Sequence, residues 1–266
     1  MKGLIITDVD GTLVQDGTMN LNPEYYSVIR ELTKRGMGVA VASGRQYESI
    51  RKLFEPVIDC IWCISESGGV IQNQTMKHML SPIPKAFLKE IIGDIHQLDQ
   101  ADALICSATM AYVPEEGTAM YCWLKDSYGY HLESLNGWDN LPTEEIVKVS
   151  VYHPTDVLKV ATPTFIPKWK ERLHLCGAGE WWLDCIMAGV NKGSALQWLI
   201  QQLGVKANDV YAFGDNQNDI EMLQLAGHSY AVATARDEVK EISNQVISSY
   251  HDDGVLQEWK AILSTL

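Results

Sequence analysis

Short apolar runs alternate with amphipathic segments through about the first eighty residues of the chain. The apolar runs GLIITDV, GVAVASG and CIWCISESGG are typical of buried strands. Between them, NPEYYSVIRELTKRG and YESIRKLF carry apolar residues at helical spacing. The first of these has Asn22 placed to cap a helix, Pro23 at the first helical position and Gly36 at its end. This β-α-β-α-β order predicts a parallel sheet with right-handed crossovers.

The pattern changes after about Leu80. There the chain predicts a helix in PKAFLKEIIGDIHQL and strands in ADALICSAT, EIVKVSVYH and EWWLDCIM. From Asn191 the first alternation of helix and strand returns, in KGSALQWLIQQLG, DVYAFGD, DIEMLQLAG and SYAVA. We therefore expect an α/β fold in which a parallel-sheet core domain, residues 1–80 and 188–266, is interrupted by an inserted α+β domain, residues 81–187.

Net charge and hydropathy narrow the class of partner. The chain has 266 residues and a formal net charge of −13, and its basic residues are scattered. Nucleic-acid binders usually carry a clustered basic surface, so we expect no nucleic-acid partner. The first strand pattern begins at Gly3, which leaves no room for a signal peptide, and no apolar run reaches the roughly 18 residues of a membrane helix. We expect a cytoplasmic protein with no membrane partner, as a monomer or a small homo-oligomer.

Two acids end the first predicted strand, in the segment LIITDVDGTLV. Asp8 and Asp10 follow an apolar run, where burying an unpaired carboxylate is costly, so a compensating charge is expected beside them. A calcium-binding EF-hand loop does not fit, because it has glycine at its sixth position and follows a helix. Here Gly11 is fourth and follows a strand.

Three further features stand at the ends of predicted elements. Ser43-Gly44-Arg45 ends the second strand, GDNQND at 214–219 follows a later strand, and Lys192 opens a helix. Taken singly, the polar residues at the strand ends are compatible with helix caps. Lys192, however, opposes the helix macrodipole, so it indicates an anion nearby. Ligands of open α/β sheets bind at the carboxyl ends of the strands, so we expect these features to lie together.

Together these residue types predict a phosphoryl-transfer site. One carboxylate can act as the nucleophile, and further carboxylates can hold Mg²⁺. A hydroxyl, backbone N–H groups and a lysine can bind the phosphate oxygens. The metal ion and Lys192 would then offset the charges of Asp8 and Asp10.

DVDGT, SGR, the isolated Lys192 and GDNQND, in this order, closely resemble the four motifs of the haloacid dehalogenase superfamily of phosphatases. The insertion between the second and third motifs resembles the Cof-like subfamily with a class IIB α/β cap. The resemblance implies a Rossmann-like parallel-sheet core with residues 81–187 as a cap that sets substrate specificity.

The resemblance also implies the catalytic and metal-binding residues. Asp8 would be the nucleophile that forms an aspartyl-phosphate, and Asp10 the acid/base that protonates the leaving alcohol and then activates water. Mg²⁺ would be held by Asp8, the backbone carbonyl of Asp10 and Asp215. Asp219 would support the metal shell or orient Lys192.

The phosphate group would meet a set of residues from all four motifs. The implied substrate- and phosphate-binding residues are Val9, Thr12, Ser43, Gly44, Arg45, Lys192 and Asn218. Val9 and Gly44 would contribute their backbone amides, and Thr12 would brace the loop after Asp10. Many relatives read Asn-Gly-Ala after the third strand, whereas this chain has Ser67-Gly68-Gly69 behind Glu66. This departure leaves the implied catalytic residues unchanged.

The cap contains no sequence motif that identifies the substrate, but it contains two adjacent tryptophans. Trp181 and Trp182 would face opposite sides of a strand, so one of them faces the cleft or is covered by a helix or a subunit contact. Asp126, His131 and Asp184 are further candidates for recognising hydroxyl groups, with surface positions or pairs within the cap as the alternative.

We expect from these features a Mg²⁺-dependent phosphatase of small phosphorylated metabolites, with sugar phosphates as the favoured class. One alternative is a sugar phosphomutase of the same superfamily, which passes the phosphoryl group to a second hydroxyl. The other is a non-catalytic, regulatory protein that binds phosphorylated metabolites. The retention of both aspartates and of Lys192 argues against this second alternative.

Overall fold

The computed structural model describes residues 1–266 and forms two sheets. The first part of the chain contains β1 (Gly3–Thr7), α1 (Glu24–Lys34), β2 (Met37–Ala42), α2 (Tyr47–Leu53), β3 (Trp62–Ser65), β4 (Val70–Gln72) and β5 (Lys77–Met79). The middle contains α3 (Lys85–Ile95), β6 (Asp102–Ser107), β7 (Ala111–Val113), α4 (Ala119–Asp126), β8 (Leu132–Ser134), β9 (Ile146–Tyr152), α5 (Val157–Ala161), α6 (Phe165–Trp169), β10 (Leu173–Ala178) and β11 (Trp182–Met187). The last part contains α7 (Lys192–Leu203), β12 (Val210–Gly214), α8 (Ile220–Leu225), β13 (His228–Val232), α9 (Asp237–Ile242), β14 (Gln245–Ile247) and α10 (Gly254–Thr265).

The first sheet has the strand order β14-β13-β12-β1-β2-β3-β4-β5. Its strands from β14 to β3 pair in parallel, because helices return the chain between them, and the short β4 and β5 add an antiparallel edge. The chain leaves β1 toward β2 and β3 on one side, and later fills β12 to β14 on the other. The strand order therefore reverses between β1 and β12, and this crevice is where open α/β sheets bind ligands.

The second sheet has the order β10-β11-β9-β6-β7-β8 and is antiparallel except for the pair of β7 and β8. Its apolar residues form a core of their own around Ile105, Val149 and Trp169, whereas Ile6, Val41 and Phe213 belong to the core of the first sheet. The predicted α/β class with a Rossmann-like parallel-sheet core is confirmed. The domain bounds at 80/81 and 187/188 stay a prediction, which the membership of the two sheets supports.

The predicted strand CIWCISESGG is shorter than the apolar pattern suggests. It ends at Ser65, because Glu66 and Ser67 adopt φ angles of 51° and 57° and turn the chain into β4. The hydrophobic pattern does not predict β4 and β5, which have three residues each. None of the helices combines the length and the apolar character that a membrane span requires.

Trp169 provides a test of the second core. It is fully buried, its indole N–H donates to Asp94 at 2.8 Å, and the Arg172 guanidinium lies 4.5 Å from its ring. Trp169→Ala should lower the free energy of unfolding by about 3–5 kcal/mol, because it opens a cavity in that core. Leu158→Ala, at a position 45% exposed, should change it by less than about 0.5 kcal/mol. Urea denaturation followed by circular dichroism measures both, and equal effects would contradict a separately packed second core.

Candidate active site

Asp8 lies at the base of the crevice, directly after the central strand β1. The residue is 4% exposed, and its Oδ1 accepts a hydrogen bond from Lys192 Nζ at 2.6 Å. The other oxygen, Oδ2, is buried and has no hydrogen-bond partner. Burial raises the pKa of Asp8 to about 7, although Lys192 acts in the opposite direction. One carboxylate oxygen is therefore held in place while the other stays available for chemistry.

Lys192 opens α7 and is fully buried between two carboxylates. Its Nζ donates to Asp8 Oδ1 and, at 2.7 Å, to Asp219 Oδ1. Burial favours the neutral amine, but Asp219 and Asp8 prevail and raise the pKa of Lys192. These carboxylates are the anions that a lysine at a helix N-terminus indicates.

Asp219 organises the loop after β12. Its Oδ2 accepts the backbone N–H groups of Asp215 and Asn216 at 3.0 and 3.1 Å, while Oδ1 accepts from Lys192. Both oxygens are thus occupied by this chain, and Asn216 also caps the short turn Gln217–Asp219. Asp219 is therefore hydrogen-bonded to Lys192, and its two expected roles, support of the metal shell and orientation of Lys192, stay predictions.

Asp215 supplies the second available carboxylate of the crevice. Its Oδ1 accepts a hydrogen bond from Thr12 at 3.2 Å, so Thr12 ties the loop after β1 to the loop after β12. Gly11 has φ 82°, and a Cβ atom there would lie 2.3 Å from Asp215 Oδ2, so only glycine allows this approach. Burial, with Asp8 nearby, raises the pKa of Asp215 well above its ordinary value.

The acidic cluster fits a hard divalent cation. Carboxylate oxygens of Asp8, Asp215 and Asp219 lie within 4.8 Å of one another. Carboxylate and carbonyl oxygens are the ligands that Mg²⁺ prefers. The Oδ2 atom of Asp8 and the carbonyl of Asp10 accept no hydrogen bond within the chain, so both are free to act as ligands.

Asp10 is held by Arg45 through a two-pronged ion pair. Arg45 Nη2 lies 2.6 Å from Asp10 Oδ1, and Arg45 Nε lies 2.8 Å from Asp10 Oδ2. The guanidinium also donates to the carbonyl of Thr18 at 2.8 Å, and only 1% of the side chain is exposed. The structure thus places Arg45 on Asp10, and its expected contact with phosphate stays a prediction.

Three of the expected phosphate donors have no other partner. The backbone N–H groups of Val9 and Gly44 donate no hydrogen bond within the chain, and the Asn218 side chain lines the cleft without a partner. Ser43 is fully buried, and its hydroxyl accepts from Arg45 N–H at 3.1 Å and donates to Asp10 at 3.5 Å. Ser43 does not cap α2, because that helix begins after Gln46.

The cleft above these residues has a volume of about 160 Å³ and is lined from both sheets. The expected site residues that line it are Asp8, Asp10, Gly44, Arg45, Asp215 and Asn218. The others, Val9, Thr12, Ser43, Lys192 and Asp219, lie buried behind this wall. The opposite wall contains Leu124, Tyr128, Tyr130, Lys148, Trp182 and Asp184.

The two adjacent tryptophans have different surroundings, as the sequence predicts, but not because both lie in one strand. Trp182 begins β11 and lines the cleft, whereas Trp181 precedes the strand and packs edge-on against Trp123 at 5.2 Å. Among the other candidates, Asp184 lines the cleft, while Asp126 and His131 are exposed and do not.

Sequence reasoning missed Lys148, Tyr128 and Tyr130. Lys148 carries a signal that could have identified it, because it is a charged residue in the middle of the apolar run EIVKVSVYH. Like Asp8, Lys148 is a charged residue in a segment that otherwise predicts a buried strand. The two tyrosines lie in the loop before β8 and carry no comparable pattern.

Comparison with known proteins gives consistent matches over nearly the whole chain. The family model of haloacid dehalogenase-like hydrolases matches residues 5–258. The chain is 25% identical over 261 residues to the 5-amino-6-(5-phospho-D-ribitylamino)uracil phosphatase YbjI of Escherichia coli, covering 95% of this chain and 93% of YbjI. It is 27% identical over 268 residues to the HMP-PP phosphatase of Serratia proteamaculans, covering 97% and 96%.

Solved structures agree with these matches. A crystal structure from Eubacterium rectale is 36% identical, with a TM-score of 0.87 over 98% of both chains. The HAD subclass IIB sugar phosphatase BT4131 shares the fold, with a TM-score of 0.80 at 19% identity over 98% of both chains. With the motifs and the crevice described above, these matches identify the chain as a member of the haloacid dehalogenase-like hydrolases, a Cof-like phosphatase of that superfamily.

Proposed function

We propose that this phosphatase hydrolyses phosphate monoesters of small metabolites, with sugar phosphates as the favoured class, in a Mg²⁺-dependent reaction through an aspartyl-phosphate on Asp8. The observation that carries the proposal is the Asp8 carboxylate. One of its oxygens is fixed by Lys192, the other is buried and unpartnered, and Gly44, whose N–H is free like that of Val9, lines the same cleft. A phosphoryl group bound by these donors would lie next to a nucleophile.

Asp8 would attack phosphorus, forming a P–O bond as the bond to the leaving alkoxide breaks. Asp10 would give its proton to that oxygen, then take a proton from the water that attacks the aspartyl-phosphate, which releases phosphate and restores Asp8. Arg45 forms a two-pronged ion pair with Asp10 in this structure, so Asp10 must leave Arg45 and take up a proton from solvent before it can protonate the leaving group. Lys192 and the free N–H groups would stabilise charge on the phosphate oxygens.

Asp8, Asp215 and the carbonyl of Asp10 are the groups that would hold Mg²⁺. When bound, the ion neutralises phosphate charge and acts as a Lewis acid. Burial raises the pKa values of Asp8 and Asp215, and both residues would be more readily ionised with a cation held between them.

The preference for sugar phosphates rests on polar groups that line the cleft away from Asp8. Ser150, Asp16 and Asp184 line the cleft together with the apolar ring of Trp182. Hydroxyl-rich leaving groups combine hydrogen-bonding edges with apolar faces, so they match such a wall.

Asp8→Asn should reduce turnover by at least roughly a hundredfold, because it removes the nucleophile while keeping the side-chain shape. Phosphate release from a panel of sugar phosphates, 5-amino-6-(5-phospho-D-ribitylamino)uracil and HMP-PP measures this loss. Asp237→Asn, at a side chain that is 98% exposed, is the matched control and should retain full activity. Activity of the Asp8 variant within tenfold of the parent would contradict the assignment. Product analysis of the same reactions separates hydrolysis from transfer to a second hydroxyl.

Chelation with excess EDTA should abolish turnover, and added Mg²⁺ should restore it, whereas Ca²⁺ should support turnover poorly because its coordination is looser. Calorimetric titration with Mg²⁺ gives a readout that does not depend on activity. Asp215→Asn should weaken that binding, because it replaces an anionic ligand by a neutral one. Full activity in excess chelator, with no metal retained by elemental analysis, would refute the metal requirement.

A further inference from the structure

Lys148 is a buried cation that takes no part in the reaction steps proposed above. It lies in the middle of β9 in the second sheet and is 2% exposed. Its Nζ donates to the carbonyl oxygen of Gly44 at 2.7 Å and lies 2.9 Å from Glu66 Oε2 and 3.4 Å from Asp184 Oδ2. Gly44 and Glu66 follow strands of the first sheet, so one lysine side chain bridges the two sheets at the edge of the cleft.

The ammonium group of Lys148 is enclosed by oxygen atoms of the protein. Glu66 and Asp184, 1% and 4% exposed, form ion pairs with it, and the Gly44 carbonyl is the acceptor with hydrogen-bond geometry. Asp184 is fixed in turn, because the hydroxyl groups of Ser67 and Ser150 each donate to it at 2.6 Å. An ammonium group has three N–H donors, and three protein oxygens surround this one. Lys148 therefore points to the loop rather than to a ligand.

The loop that receives this hydrogen bond is Ser43–Gly44–Arg45. The peptide group between Gly44 and Arg45 is held at both ends, since its carbonyl accepts from Lys148 and its N–H donates to Ser43 Oγ at 3.1 Å. The hydroxyl of Tyr130 approaches the same carbonyl at 3.4 Å. Glycine has wide backbone freedom, so external contacts decide the conformation of this loop.

Three functional elements depend on that conformation. The loop presents the free N–H of Gly44, the hydroxyl of Ser43 and the guanidinium that holds Asp10. The backbone N–H groups of Ser67 and Glu66 hold the carbonyls of Ser43 and Arg45. The donors to the Gly44 carbonyl, Lys148 and Tyr130, come from the inserted segment, 104 and 86 residues away in the sequence. A charge-assisted hydrogen bond is about twice as strong as a neutral one, so Lys148 is the stronger of these two contacts.

We propose that Lys148 is a positioning residue that couples packing of the second sheet against the first to the phosphate-binding conformation of the Ser43–Gly44–Arg45 loop. This inference rests on the proposed function in so far as the loop binds the phosphate group. Affinity for the phosphate group then depends on Lys148 whatever the leaving group is. A lysine that contacted the leaving group would instead affect some substrates and spare others.

The test compares a charge-balanced double variant, Lys148→Met with Glu66→Gln, against Glu66→Gln alone. The double variant removes the hydrogen bond to Gly44 without leaving Glu66 as an unpaired buried charge. The matched single variant keeps Lys148 and its contact with Gly44. Calorimetric titration with inorganic phosphate in the presence of Mg²⁺ gives affinity without turnover. Steady-state kinetics with an aryl phosphate and a hexose phosphate give KM and kcat.

We expect the double variant to bind inorganic phosphate about tenfold more weakly than the single variant, as expected for loss of one charge-assisted hydrogen bond. KM should rise by a similar factor for both substrates. A merely structural role would lower kcat through loss of folded enzyme and leave phosphate affinity unchanged. Unchanged phosphate affinity, or a KM rise confined to the hexose phosphate, would overturn the proposal.

A second variant tests the proposal if the double variant does not fold, as judged by circular dichroism. Tyr130→Phe removes only the weaker donor to the same carbonyl, so phosphate affinity should fall by about twofold to threefold. No change in that affinity would then overturn the proposal. Phosphate binding by the parent protein without any turnover would refute the phosphatase function itself, so the two failures are distinguishable.

Discussion

Three buried charges at the end of the central strand constrain the whole crevice. Lys192 is fully buried between Asp8 and Asp219, and each of these groups would be costly to bury without the others. Asp8 belongs to the loop after β1, Lys192 opens α7, and Asp219 closes the turn after β12. The ion pairs therefore join three separate parts of the sequence at one point. Because a buried charge is stable only in good geometry, these side chains have little freedom to move.

A second cluster of buried charges lies on the other side of the cleft, and its charges are likewise buried in pairs. Lys148 pairs with Glu66 and Asp184, and it joins the inserted segment to the loops after β2 and β3. One cluster fixes Asp8, while the other holds the loop that presents the free amide of Gly44. The positive φ angles of Glu66 and Ser67 belong to this second cluster, because they turn both side chains toward the inserted segment. The departure from the Asn-Gly-Ala pattern of many relatives thus coincides with a contact between the sheets.

The pair of Arg45 and Asp10 links the two clusters. Arg45 follows Gly44 directly, so the loop that Lys148 holds also carries the guanidinium that holds Asp10. Arg45 in turn lies 4.9 Å from the Tyr128 ring, and the Tyr128 hydroxyl donates to Asp16 at 2.6 Å. The inserted segment therefore contacts the guanidinium that holds Asp10, in addition to forming the opposite wall of the cleft.

The sequence alone determined the parallel core and most of the cleft residues that follow its strands, because both leave local signals. Asp8 and Asp10 end an apolar run, where an unpaired carboxylate is costly to bury. Lys192 opens a helix, where a cation opposes the macrodipole. Each of these unfavourable positions indicates a partner of opposite charge. The alternation of strands and helices also predicts that the ends of β1, β2 and β12 meet at one edge. Only the tertiary structure decided which groups pair. Arg45 pairs with Asp10, Lys192 donates to both Asp8 and Asp219, and Lys148 reaches Gly44 across 104 residues of sequence. Such contacts depend on how one sheet packs against another, and that packing is set by the fit of many side chains rather than by any local pattern.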